Sequence, residues 1–196
     1  MSEREPICGN RNYNQKTMTE EAYLKDSVLQ RQKLTSQVER AVVQVKDEHL
    51  VSKLDPEANS IAIIMKHLAG NMRSRWTDFL TSDGEKPDRN RDAEFESSEK
   101  DTRARILESW EDGWSRVFVT IQGLKPADLA RNVTIRGESH SVLEAINRQM
   151  THYAVHVGQI VLLAKHYAGS EWRTLSIPRG KSKTFDVSKN GEQLSI

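Results

Sequence analysis

Residues 141–169 read SVLEAINRQMTHYAVHVGQIVLLAKHYAG, and the fold follows from how this stretch is phased. Val142, Ala145, Ile146, Gln149, His152, Tyr153, His156, Ile160, Leu163 and Tyr167 return at every third or fourth position, the period of an α-helix that buries one face. Ser141 and Glu144 have the spacing of a capping box, in which two side chains satisfy the free amides of a first turn, and Gly169 is a natural stop. A long helix from Val142 to Ala168 is predicted.

Two histidines interrupt the apolar face of that helix. Burying an imidazole costs free energy unless its nitrogens find partners, so a pair four residues apart on the inward side needs a common explanation. Residues at that spacing lie one above the other, with β-carbons about 6 Å apart. They can form a hydrogen-bonded core pair, or converge on one cation.

Working outward, three further amphipathic segments precede this one. Leu24, Val28, Leu34, Val38, Val42 and Val45 place one stripe on a helix from about Thr19 to Lys46, with Arg31 as its polar step. After the break at Asp55-Pro56, Asn59 or Ser60 can cap a second helix carrying Ile61, Ile64, Met65, Leu68, Met72, Trp76 and Phe79, with Ser82-Asp83-Gly84 as its stop. Leu107, Trp110, Trp114, Val117, Phe118 and Ile121 define a third, beyond Ser98 and ending at Gly123. His67 borders the stripe of the second helix and is the candidate third ligand. His166 lies about 21 Å beyond His152 along the helix axis, too far to share a site.

The connections are of three kinds. Residues 83–97, DGEKPDRNRDAEFES, are a charged crossover longer than most in helical bundles; a solvated loop is the expectation, although such loops often border functional sites. Residues 132–136 alternate in the manner of a small hairpin, expected to connect rather than to build core. The tail after Trp172 contains Gly180-Lys181-Ser182, but Leu175 stands where a phosphate loop needs glycine. It reads as a strap over the helices. The expected architecture is one all-α domain, an antiparallel four-helix bundle over residues 19–170, with a polar leader (1–18) and a C-terminal tail (171–196).

Composition narrows the partners. The chain has 29 basic and 28 acidic residues, so no global field draws it to nucleic acid or an anionic membrane. Arg89, Arg91, Arg103 and Arg105 are interleaved with Asp88, Asp92, Glu94, Glu99 and Asp101, which weakens any phosphate-binding surface. No apolar run approaches the roughly 20 residues of a membrane span, and the N-terminal residues lack the apolar core of a secretory signal. A cytoplasmic location is the expectation, with Cys8, the only cysteine, as a bland thiol. An exposed apolar helix face would make a homodimer plausible.

The order of these elements and the placing of the histidines resemble the DinB-like superfamily, which includes bacillithiol S-transferase-like proteins and the mycothiol-dependent maleylpyruvate isomerases. The resemblance covers about residues 20–170. It rests on Met65-Lys66-His67-Leu68-Ala69 and on His152-Tyr-Ala-Val-His156-Val-Gly-Gln-Ile, whose His-x-Gly-Gln-Ile ending is the more specific part. The run from His67 to Leu80, with Asp83-Gly84-Glu85-Lys86-Pro87, looks like a functionally uncharacterised branch. What the resemblance implies is a four-helix bundle with His67, His152 and His156 as ligands of one divalent transition metal, zinc or nickel ahead of iron. It further implies transfer of a low-molecular-weight thiol onto an electrophile, or thiol-assisted isomerisation of a small molecule. A non-catalytic bundle stapled by its metal, acting in stress or protein interaction, is the competing expectation.

Around such a site, Asn71 and Gln159 are candidates to support the ligands, each near a histidine on its own helix. Tyr153 follows His152 directly. Trp76, Trp110 and Trp114 could wall a pocket, although aromatic residues at helical spacing usually build core. Arg73 and Arg75 could hold a carboxylate, or simply face water.

Overall fold

A computed structural model of the chain describes residues 9–185, with side chains from Gln15 onward. Cys8 and residues 186–196 of the tail lie outside the described residues. The chain is mostly helical, with one small two-stranded sheet. In order come α1 (Gly9–Val42), the single turn α2 (Asp47–Leu50), α3 (Ile61–Trp76), α4 (Arg103–Gly123), β1 (Asn132–Ile135), β2 (Glu138–Ser141) and α5 (Val142–Ala168). Among the described residues, no helix is long and apolar enough to cross a membrane.

Helix α1 begins at Gly9, about three turns before Thr19. Its first described side chains, Gln15, Lys16 and Met18, are exposed, so those turns carry no apolar stripe by which they could be read from sequence. Further along, Arg31 is fully buried on the inward face. It donates to the carbonyls of Ser27 (2.9 Å) and Ile146 (2.8 Å) and lies over the Trp76 ring. The chain just after α1 is tied to α4, because Arg103 donates to the carbonyls of Val42 and Val45 and pairs with Asp47.

Helix α3 is capped by Ser60, whose hydroxyl accepts from the Ile63 amide. Thirteen of its 16 residues are buried, the polar His67, Asn71, Ser74 and Arg75 among them, so α3 is the interior helix of the fold. Only Lys66, Gly70 and Arg73, spaced four and three apart, escape full burial, leaving one narrow seam. The helix ends at Trp76, ahead of the expected stop at Ser82–Gly84, because Asp78 takes a left-handed conformation (φ 50°) and its carbonyl accepts the amides of Thr81 and Ser82. Asp tolerates that region better than most residues.

Helices α3 and α4 pack together, as do α1 and α5, while α1 also meets α4 and α3 meets α5 around a common core. At the α3–α4 contact, a β-carbon on Gly113 would lie 3.3 Å from the Ala69 α-carbon and 3.0 Å from the Met72 sulfur. Its absence lets the two backbones approach. Ser141 and Glu144 cap α5 as expected, and Gly169 closes it with φ 54°.

The hairpin departs from expectation. Its strands pair antiparallel from Asn132↔Ser141 to Ile135↔Glu138 around a two-residue turn in which Arg136 and Gly137 both have positive φ. Val133 and Ile135 are buried in the main core, as are Leu124 and Leu129 just before them, so the segment builds core as well as connecting. Gln44 bonds both the amide and the carbonyl of Arg173, and Trp172 and Leu175 pack on the core.

The alternation of the hairpin has a measurable consequence. Ile135→Ala should lower unfolding free energy by about 2–5 kcal/mol, whereas Thr134→Ala, on the outer face of the same strand, should stay within about 0.5 kcal/mol. Equal urea midpoints for the two variants would show that the hairpin does not contribute to the core.

Candidate metal centre

His67 reaches the site from the middle of α3, and His152 and His156 come from successive turns of α5. The candidate ligand atoms of the three rings all lie within 4.8 Å of one another. His67 Nε2 stands 3.2 Å from His152 Nε2. A tetrahedral metal with bonds of about 2.0–2.1 Å to nitrogen holds its ligands roughly 3.3 Å apart, so this pair already has the spacing of two ligands on one ion.

The other nitrogen of His67 is held by a residue that sequence reasoning passed over. Glu94, in a single 3-10 turn (Asp92–Phe95) of the long loop, accepts from His67 Nδ1 at 2.9 Å. Arg89 clamps the same carboxylate, with Nε on Oε1 and Nη2 on Oε2, both at 2.8 Å. A carboxylate can only accept, so the proton of His67 sits on Nδ1 and the Nε2 lone pair faces the other histidines. His156 is oriented in the same sense, its Nδ1 lying 2.8 Å from the Gln159 oxygen. His152 Nδ1 is buried without a hydrogen-bond partner among the described residues.

Electrostatics keep two of the rings, His152 and His156, in the form a metal requires. Burial, followed by the charges of His156, His67, Arg89 and Arg75, pushes His152 down to about 3. Burial also lowers His156, against the opposing hydrogen bond from Gln159. For Glu94, burial acts to raise the carboxyl, but its hydrogen bonds to His67 and Arg89 outweigh this and hold it below the ordinary range. Neutral imidazoles beside an ionised carboxylate are a donor set for a divalent transition metal.

The loop reaches the histidines by following the seam on α3. Arg73 meets Asp88 at 3.9 Å, Gly70 lies beneath Glu94, and Lys66 bonds the Glu96 carbonyl (2.6 Å) and Asp101 (2.8 Å). A β-carbon on Gly70 would fall 2.7 Å from the Glu94 carboxyl carbon, so only glycine leaves room for the carboxylate at its present position. The upstream end of the loop is tied to the hairpin, where Asp83 accepts the amides of Arg136 and Gly137 at 2.9 and 2.8 Å. The charged crossover is thus part of the site rather than a solvated link.

The remaining sequence candidates divide. Asn71 is buried in the wall of a cavity of about 200 Å³ that His67 and His152 also line. Its side-chain oxygen accepts from Tyr153 at 3.4 Å. Arg75 lines the same cavity and pairs with Glu85. Tyr153 is fully buried beneath His152, accepting from Trp76 Nε1 at 2.7 Å. Trp76, Trp110 and Trp114 belong to the core, with Trp110 and Trp114 stacked edge to face, and none lines the cavity. Arg73 is exposed and turned toward Asp88, away from the cavity. The missed residues, Arg89 and Glu94, lie in a segment without periodicity. The available signal was Gly70, which weakens a helix interior by about 1 kcal/mol relative to Ala and so marks a close approach.

A family model described as "Protein of unknown function (DUF1572)" matches residues 18–181. The chain belongs to that family. The DUF1572 span takes in most of α1, all of α3, α4, α5 and the hairpin, and the loop carrying Arg89 and Glu94. None of the curated proteins compared with the chain matches it.

Because His152 is held near 3 in the folded chain and returns to about 6.5 on unfolding, the unfolded chain binds a proton that the folded chain refuses between those limits. Stability of metal-free protein is therefore full above about pH 6.5 and declines as pH falls toward about 3, with Glu94 adding the same sign in the carboxylate range. His152→Gln should flatten the decline between about pH 6.5 and 5, where carboxylates do not yet titrate. Superimposable urea-midpoint profiles for wild type and variant would contradict a neutral buried imidazole.

Proposed function

We propose that this DUF1572 protein is a metal-dependent enzyme of the thiol S-transferase type, built as a DinB-like antiparallel four-helix bundle. Its one divalent transition metal, zinc or nickel ahead of iron, would be held by His67, His152 and His156. The observation that carries the reading is the pairing of three convergent imidazoles with a carboxylate that fixes one of them, next to a cavity through which a fourth position can be reached. A site meant only as a staple is normally closed by a fourth protein ligand, whereas a catalytic one keeps a position open.

When bound, the metal lowers the pKa of a thiol or water toward neutrality. The chain supplies the rest. Glu94 keeps His67 in the tautomer that presents Nε2. Arg89 holds Glu94 in place, and Gln159 accepts from His156 Nδ1. In the transfer, the thiol gives its proton to solvent, its sulfur forms a bond to an electrophilic carbon of the acceptor, and the leaving group departs with its electron pair.

Protein purified without an affinity tag should contain about one transition metal per chain by elemental analysis, lost in both His67→Ala and His152→Ala. Wild-type protein that is metal-free and cannot be loaded with zinc or nickel would end the proposal. Cobalt(II)-loaded protein should change its visible spectrum when a small thiol is added. An unresponsive spectrum would favour the structural staple.

The support given by the loop is tested separately. Glu94→Ala should weaken zinc about tenfold to a hundredfold in competition with a chromophoric chelator. Gly70→Ala should act in the same direction by displacing Glu94, even though alanine is the better helix former. Unchanged zinc affinity in both variants would leave Glu94 without the assigned role.

A further inference from the structure

The cavity beside the histidines has a composition that metal binding alone does not explain. Five arginines line it: Arg75 from α3, Arg89 and Arg91 from the long loop, Arg136 from the hairpin turn and Arg148 from α5. No acidic residue does. Among the described residues, the carboxylates ion-paired to this group are only Glu85 and Glu94. Glu85 is shared by Arg75 (3.0 Å), Arg136 (2.9 Å) and Arg89 (3.4 Å), and Glu94 is clamped by Arg89. Five guanidinium groups thus share two carboxylates.

The surplus is concentrated in two side chains. Arg148 forms no ion pair or side-chain hydrogen bond among the described residues. Among the described residues, the Arg91 side chain has only the Phe95 ring, 5.0 Å from its guanidinium. Gln149, next to Arg148 and itself 4% exposed, lines the cavity with a side-chain oxygen that has no hydrogen-bond partner among the described residues, an acceptor suited to a donor on the ligand rather than to its anionic group. Guanidinium groups converging from four separate elements repel one another, and their arrangement is explained by an anion that accepts their N–H groups, often two at a time. Arg89, whose side chain is 3% exposed, lies in the wall of this cavity, while Arg148 and Arg91 stand exposed at its rim with their N–H groups open to an incoming anion.

We propose that this cavity binds the carboxylate or phosphate group of a small-molecule substrate, with Arg148 and Arg91 as its principal anion contacts, and so directs the neutral remainder of the molecule toward His67 and His152. About 200 Å³ is below the roughly 300–1,000 Å³ of sites that enclose a drug-sized ligand, which suits an oxyanion carried on a few carbon atoms. The proposal rests on the metal-centre reading only for where the reacting end lies; the anion site is a property of the arginines.

The test is isothermal titration calorimetry with inorganic phosphate, succinate and neutral succinamide at constant low ionic strength, on protein stripped by chelator and on zinc-loaded protein. Stripped wild type should bind phosphate or succinate saturably and should not bind succinamide; whichever anion binds identifies the group. Arg148→Gln and Arg91→Gln should each weaken binding roughly tenfold or more while keeping the wild-type zinc stoichiometry. Arg105→Gln, at an exposed position on α4, should leave anion binding unchanged. Zinc uptake without saturable anion binding, or equal losses in the Arg105 and Arg148 variants, would overturn the anion site and leave the metal centre standing. Arginine-dependent anion binding in a protein that takes up no zinc would do the reverse.

Discussion

A carboxylate placed against the middle of a buried helix must be surrounded by donors, because an unpaired charge in the interior is far more costly than any single contact there is favourable. Glu94 meets that condition with one imidazole N–H and two guanidinium N–H groups, and much of the local architecture answers to it. The loop follows the one seam that α3 leaves open, Gly70 contributes no side chain beneath the carboxylate, and Arg89 is enclosed by the loop to which it belongs. On the far side of His67, the same hydrogen bond decides which nitrogen faces α5.

The hairpin serves the same end. Asp83 joins the start of the loop to the Arg136–Gly137 turn, the Gly84 amide donates to the Thr134 carbonyl, and the Gly84 carbonyl accepts from Ser74 and Arg75 on α3. Loop, hairpin and α3 are therefore one connected unit, and β2 runs directly into the capped first turn of α5. A buried polar chain continues beneath the histidines, from Arg31 over Trp76, through Tyr153 to Asn71. The aromatic residues there orient one another and support the site from below rather than walling it.

Much of this was legible in the residues, for reasons that also explain what was not. His152 and His156 stand four apart on a helix whose periodicity could be read, which left a core pair and a shared cation both open; His67 was a candidate from its place on a second readable helix, the full ligand set came from the family resemblance, and Gln159 was a candidate from its spacing to His156. Ser60, Ser141 and Gly169 marked their helix ends because capping is local chemistry. Glu94 and Arg89 act through a loop, where no period relates sequence position to direction. The arginines of that loop alternate with acids along the chain, and linear alternation suggested cancellation; in space the acids pair with some arginines and leave others facing the cavity. The early start of α1 was hidden because residues 9–18 carry no apolar period in the sequence, and the core role of the hairpin because four-residue strands give too short an alternation to show which face is inside.

On α5, Arg148, His152 and His156 occupy one column, each four residues from the next, so their spacing of about 6 Å per step belongs to the backbone. The helix acts as a ruler between the cationic rim and the histidines, with graduations that no exchange of surface side chains can alter. Adaptation of the site to a longer or shorter molecule would have to come from the opposite wall, where Arg89 and Arg91 ride on a loop whose length can change by single residues. One side of the cavity is a fixed scale and the other an adjustable stop.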